Sequence, residues 1–138
     1  MAGTSLAADG IISAEQAYSE ATNETLTLID IRSPKEWPES GVPKGSKTIT
    51  MHNPNGREAF LEAIRSAVSN DLSRPVAVIC AVGGRSRWAR RYLTKNGFSN
   101  VVDVSEGVFG RGPGLPGWIK RGLRLEKCAA NDTASCAR

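Results

Sequence analysis

The run Pro75-Val76-Ala77-Val78-Ile79-Cys80 constrains the fold of this chain more than any other segment. It carries no charge and is dense in β-branched residues, so a strand built from it buries both of its faces. Such a strand belongs in the middle of a parallel sheet. The next residues narrow the choice further. Ala81-Val82-Gly83-Gly84-Arg85-Ser86 holds two glycines that break the strand, and Trp88, Ala89, Tyr92 and Leu93 then recur at helical spacing until Asn96-Gly97 supplies a stop. The order is strand, tight loop, helix.

The alternation continues on both sides. Ser13-Ala14-Glu15-Gln16 fits a capping box opening a short helix to about Glu20. Leu26 to Ile31 predicts another strand buried on both faces, ended by Arg32-Ser33-Pro34, where the proline opens a short helix reaching about Glu39. Gly41 to Gly45 reads as a turn, Lys47 to Met51 as a brief strand, and Asn53-Pro54-Asn55-Gly56 as a second turn. Phe60, Leu61, Ile64, Ala67 and Val68 mark the apolar stripe of a helix from about Arg57 to Asn70. Asn100 to Val104 predicts a last short strand, and after it comes a breaker-rich loop from Gly107 to Gly117 that either forms a lid over Cys80 or is simply a long connection. Strands alternating with helices define an open α/β domain with right-handed crossovers and its active site at the carboxyl ends of the strands. The domain is expected over residues 11–125, with a flexible N-terminus at 1–10 and a flexible tail at 126–138.

Composition sets the outer limits. At 138 residues the chain has room for one domain, and 40% hydrophobic with 23% charged residues excludes wholesale disorder, collagen-like repeats and coiled coil. No apolar run reaches the roughly 18 residues of a membrane span. A net charge of +4 and a pI near 9.2 suit small anions. Nucleic acid is not expected, because the basic residues are not interleaved with aromatics on a recognisable module. Met1 to Gly10 lacks a basic n-region and an apolar h-region, so the expectation is cytoplasmic, although a signal already cleaved would leave no trace. Cys128 and Cys136 lie in a small, polar tail, where pairing with each other, acting as a relay from Cys80 and having no role all stay open.

The chemistry is expected at Cys80. It ends the most buried strand just before a glycine-bearing loop that feeds a helix N-terminus, where successive amides turned inward and the positive end of the helix favour an ionised sulfur. The loop residues Ala81, Val82, Gly83, Gly84, Arg85 and Ser86 are accordingly the candidate substrate-binding set. Gly83 and Gly84 supply positive φ or close backbone approach. Arg85 closes the loop and either holds an oxyanion leaving group or braces the loop on its carbonyls. A lone cysteine ending a strand is more often a small buried hydrophobe, and it is the joint occurrence of these features that argues otherwise.

Several further segments make the chain similar to the single-domain rhodanese-like sulfurtransferases. Asp30 to Trp37 resembles the family's Asp-x-Arg-x-x-x-Glu-aromatic segment, and the likeness continues through Gly41-Val42-Pro43-Lys44-Gly45-Ser46, the Cys80 to Ser86 loop, Gly97 to Val101 and Glu106-Gly107. The resemblance implies a rhodanese-like α/β fold, an open five-stranded parallel sheet with helices on both faces, and Cys80 as the sulfur-carrying nucleophile. Two positions depart from the pattern: Val42 stands where the family's usual histidine precedes the turn proline, and Ala81 where thiosulfate-using members often carry arginine. The second leaves a thiosulfate preference open.

Four residues separate Cys80 from Arg85, one fewer than the cysteine phosphatases use to surround a phosphate, which disfavours a phosphatase or arsenate reductase. The expected reaction is a double displacement through a Cys80 persulfide, from a small anionic donor such as thiosulfate to a thiol or cyanide acceptor or a sulfur-relay protein. A non-enzymatic persulfide carrier or binding module is the alternative. Neither an organic cofactor nor a metal is called for, since His52 and the scattered cysteines lack ligand spacing. Asp30 and Arg32 are expected to be structural, Trp37, Trp88 and Trp118 to be packing residues, and His52 to be a surface imidazole. Arg87, Arg90 and Arg91 either steer anions or form a solvated helix face.

Overall fold

The computed structural model describes residues 9–127. Four strands, β1 (Thr27–Asp30), β3 (Lys47–Thr48), β4 (Val76–Ile79) and β5 (Val101–Asp103), form one parallel sheet in the order β3-β1-β4-β5. The uncharged run from Pro75 supplies β4, an inner strand whose four residues are all buried. Its register pairs Ala77 with Leu28 on one side and with Val102 on the other.

Helices α3 (Arg57–Ala67) and α4 (Gly84–Lys95) cover one face of the sheet, and α1 (Ala14–Thr22) and the short α5 (Gly117–Lys120) cover the other. On the first face Ile29, Val78 and Cys80 pack against Phe60, Ile64 and Leu93. On the second, Leu28, Ala77 and Val102 pack against Ala17 and Trp118. Because side chains alternate along a strand, β4 feeds both cores at once. The Ser13 hydroxyl caps α1 by accepting from the Gln16 amide at 3.1 Å. Another short helix, α2 (Glu36–Ser40), comes after β1.

Three details differ from the sequence expectation. The parallel sheet has four strands rather than five. At the edge of β5 the fifth place is held by a single parallel bridge between Ile11 and Asp103, flanked by hydrogen bonds from Asp103 N to Gly10 O (2.7 Å) and from Ile12 N to Asp103 O (3.0 Å). The chain cannot extend that bridge, because Ser13 already caps α1. Second, the Gly41 to Gly45 segment contains β2 (Val42–Pro43), which pairs antiparallel with β6 (Leu125–Glu126). Two-residue strands carry no periodicity, so neither is visible in the sequence. Third, the segment from Lys47 shortens to two strand residues, although Ile49 N still donates to Asp30 O (3.1 Å) and Met51 N to Ile31 O (3.0 Å). No described helix is long and apolar enough to cross a membrane. Cys128 and Cys136 lie outside the described residues.

Candidate active site

Cys80 is the first residue past β4, at the carboxyl end of an inner strand. Gly83 adopts a left-handed φ of +99°, and a Cβ there would run into the Ser105 carbonyl oxygen, so only glycine fits. This conformation turns the Gly83 amide onto Cys80 Sγ at 3.1 Å, and the Ser86 amide donates to the same sulfur at 3.3 Å. The sulfur also lies 3.4 Å from Ser86 Oγ, to which its thiol proton can donate. Helix α4 begins at Gly84, so Gly84, Arg85 and Ser86 form its first turn rather than a free loop. The positive end of a twelve-residue helix therefore faces the sulfur. Among the described residues the amides of Ala81, Val82, Gly84 and Arg85 have no protein acceptor. Cys80 itself is 1% exposed, while Val82 at the outer turn of the loop is 53% exposed. The cysteine thus sits at the edge of the core, but polar groups converge on its sulfur.

Arg85 is committed to a carboxylate rather than to the carbonyls of the loop. Its Nη1 and Nη2 bind the Glu36 carboxylate at 2.6 and 2.9 Å, a two-pronged pair linking the first turn of α4 to α2. The Ser33 amide and hydroxyl donate to the same carboxylate at 3.0 and 2.9 Å. The Arg85 hydrogen bonds lower the Glu36 carboxyl to about 2 despite partial burial, with the Ser33 bonds adding to the pull. The pairing in turn raises Arg85. His52 is exposed, as expected, but its Nε2 lies 3.3 Å from Arg85 Nη1, a neighbour that sequence distance conceals. Glu36 is legible in the sequence as part of a motif, while its role as the anchor of Arg85 is not.

Deeper pairs hold the strand ends. Asp30 and Arg32 form a fully buried ion pair at 2.8 Å, and the same guanidinium donates to Ser40 Oγ and to the Gly41 carbonyl, both at 2.9 Å. The pair ties β1 to the link between α2 and β2 and does not touch Cys80 through any hydrogen bond. Glu106 is buried and accepts from Ala14 N (2.7 Å), Gly117 N (2.9 Å) and Arg121 Nε (2.7 Å). Burial opposes its ionisation, but Arg121 and the two amides outweigh it and lower the carboxyl. Asp103 behaves oppositely. Burial raises its carboxyl, Ser86, Arg111, Arg90 and Arg87 only partly offset this, and Oδ1 has no hydrogen-bond partner. No sequence motif points to Asp103, because it reads as the polar end of a short strand.

Of the other candidates, Arg87 and Arg91 are exposed, whereas Arg90 Nε donates to the Val101 carbonyl at 3.3 Å. Trp37 and Trp118 are buried, and Trp88 stacks on Tyr92 at 4.8 Å on the outer side of α4. The glycine-rich segment after β5 is hydrogen-bonded along the Cys80 loop. Val108 N donates to the Cys80 carbonyl at 2.9 Å and Phe109 N to the Ala81 carbonyl at 3.0 Å. No group of three or more metal-ligating side chains occurs among the described residues.

The fold thus places a sulfur held by two amides at the start of a helix, just beyond an inner strand of a parallel sheet. Residues 13–110 match the family model of the rhodanese-like domain, and the chain belongs to that family. Its structure is similar to that of a polysulfide-sulfur transferase homodimer from Wolinella succinogenes, with a TM-score of 0.60 and 26% identity over 88% of this chain and 80% of that one. It is also similar to Rv0390 from M. tuberculosis, with a TM-score of 0.69 and 26% identity over 90% of this chain and 100% of that one. In sequence, the uncharacterised protein RC0915 of Rickettsia conorii is 26% identical over 105 residues, which is 74% of this chain and 84% of the relative.

Proposed function

We propose that this protein is a sulfurtransferase of rhodanese type that moves a sulfane sulfur from a small anionic donor to cyanide or a thiol through a persulfide on Cys80. The observation that carries this reading is the pair of amide contacts to Cys80 Sγ at 3.1 and 3.3 Å, with four more loop and helix amides left without a protein acceptor among the described residues. Donors of this kind stabilise an ionised sulfur and then the charged outer sulfur of a persulfide. In the first half-reaction the Cys80 thiolate attacks the outer sulfur of thiosulfate. A sulfur–sulfur bond forms as the bond to the sulfonate breaks, and sulfite leaves with the electron pair. In the second, the acceptor takes the outer sulfur and Cys80 departs as thiolate. The activity for which the Wolinella relative is named adds polysulfide to the donors worth assaying.

The commitment of Arg85 to Glu36 weighs against a phosphatase, which needs that guanidinium for phosphate. The deciding experiment is incubation with thiosulfate and cyanide, following thiocyanate and the intact mass. Steady turnover with a one-sulfur mass gain on Cys80, both lost in Cys80→Ser, supports the enzyme. A mass gain without turnover transfers the reading to a persulfide carrier serving a sulfur-relay protein, and no mass gain with thiosulfate or polysulfide overturns both. A cytoplasmic setting remains part of the proposal and is tested by localising the tagged full chain.

A further inference from the structure

With Arg85 tied to Glu36 and alanine at position 81, neither loop position suited by sequence to a donor's charge is free to hold one. A different cation lies against the loop. A Cβ built on Gly83 would stand 3.1 Å from Arg111 Cδ and 3.2 Å from Arg111 Nη1, so this side chain packs on the glycine whose amide holds Cys80 Sγ. Arg111 is exposed, and its guanidinium has no hydrogen bond or ion pair among the described residues. The segment carrying it is fixed rather than loosely draped: Phe109 N is bonded to the Ala81 carbonyl at 3.0 Å, and Arg111 N to the Leu115 carbonyl at 2.8 Å across a tight turn.

We infer that Arg111 is the specificity-determining residue for the charge of the sulfur donor, receiving the anionic sulfonate end of thiosulfate while Cys80 attacks the outer sulfur. This deepens the sulfurtransferase reading and rests on it. The atoms balance as in that reaction: the thiolate and the thiosulfate dianion give the persulfide anion and the sulfite dianion, and Arg111 neither gains nor loses a proton. A guanidinium beside a partly enclosed loop stabilises the dianion more than a neutral reagent, and screening by salt weakens the preference. Arg87 and Arg90 on α4 are the nearby cations and Asp103 the nearby carboxyl, all acting within the same field. Arg111 differs from them in lying directly on Gly83.

The test compares wild type with Arg111→Ala, Arg111→Lys and Arg87→Ala. In thiosulfate:cyanide turnover, Arg111→Ala is expected to raise the thiosulfate KM about tenfold, with kcat within about twofold and a flatter dependence on ionic strength. Arg111→Lys recovers part of the loss. A second readout does not depend on sulfur transfer: the ratio of iodoacetate to iodoacetamide labelling rates at Cys80, resolved by peptide mass spectrometry, falls in Arg111→Ala because only the anionic reagent loses its counter-charge. A ratio that falls in Arg111→Ala, in a wild type that does form a persulfide, supports the inference; a wild type that never forms one sinks the sulfurtransferase reading and the donor assignment with it, whatever the ratio. An unchanged ratio overturns the inference, as does equal slowing of both reagents, or a change produced by Arg87→Ala and not by Arg111→Ala.

Discussion

Two arginine–carboxylate pairs flank this site, and they have opposite surroundings. Asp30 and Arg32 are wholly buried, with the guanidinium also bonded to Ser40 and Gly41, whereas Glu36 and Arg85 keep 26% and 28% of their side chains exposed. Removing ions from water is costly, and the inner pair offsets this by using several donors on fixed acceptors. The outer pair keeps part of its hydration and joins two elements at the rim of the sulfur loop. Identical chemistry therefore serves as a rivet in one place and as a brace in the other.

The largest expected effect comes from breaking the inner pair. Asp30→Ala strands a buried guanidinium and is expected to destabilise the fold by about 3–5 kcal/mol in denaturant unfolding. A loss below about 1 kcal/mol would show that the two pairs are energetically alike. For the outer pair, a double-mutant cycle of Glu36→Gln and Arg85→Met should give a coupling under about 1 kcal/mol. Its pH dependence has a definite sign. The Glu36 carboxyl is lowered from 4.5 to about 2 in the fold, so its contribution is complete above about pH 4.5 and is lost as pH falls toward 2. The stability gap between wild type and Glu36→Gln should close over that window and stay constant above it.

Asp103 supplies the reverse case within the same region. Its carboxyl is raised, so the native state favours the protonated form, and the stability this brings at low pH is lost as pH rises through the folded value. Asp103→Asn is therefore expected to raise the unfolding midpoint at neutral pH, with the gain disappearing in acid. The smallest effect belongs to the exposed pair of Glu62 and Arg65, 3.2 Å apart on the outer side of α3. Arg65→Ala should change stability by no more than about 0.5 kcal/mol.

The parts of this molecule that can be read in the sequence are those where one physical preference dominates. An uncharged β-branched run can only be an inner strand, and the helical spacing from Phe60 to Val68 can only face a core, so β4 and α3 are legible. Cys80 and Gly83 are legible because a glycine-bearing loop between strand and helix has few uses. What escapes depends on contacts between residues far apart in the chain. Glu36 meets Arg85 across 49 positions, and β2 meets β6 through two residue pairs, neither of which leaves a local pattern. Arg111 is hidden for a related reason: a glycine-rich stretch reveals that a loop exists but not which of its side chains turns back onto the sulfur loop.

The bonds from Val108 and Phe109 to the carbonyls of Cys80 and Ala81 reach further than their number suggests. A peptide plane carries its oxygen and its hydrogen on opposite edges, so pinning the oxygens on one side directs the amides of Ala81 and Val82 to the other. The dipoles that would meet an incoming negative charge are thus aligned beforehand and have no reorientation left to perform, unlike water. Lengthening or shortening the segment that does the pinning, which lies far along the chain from Cys80, would loosen that alignment.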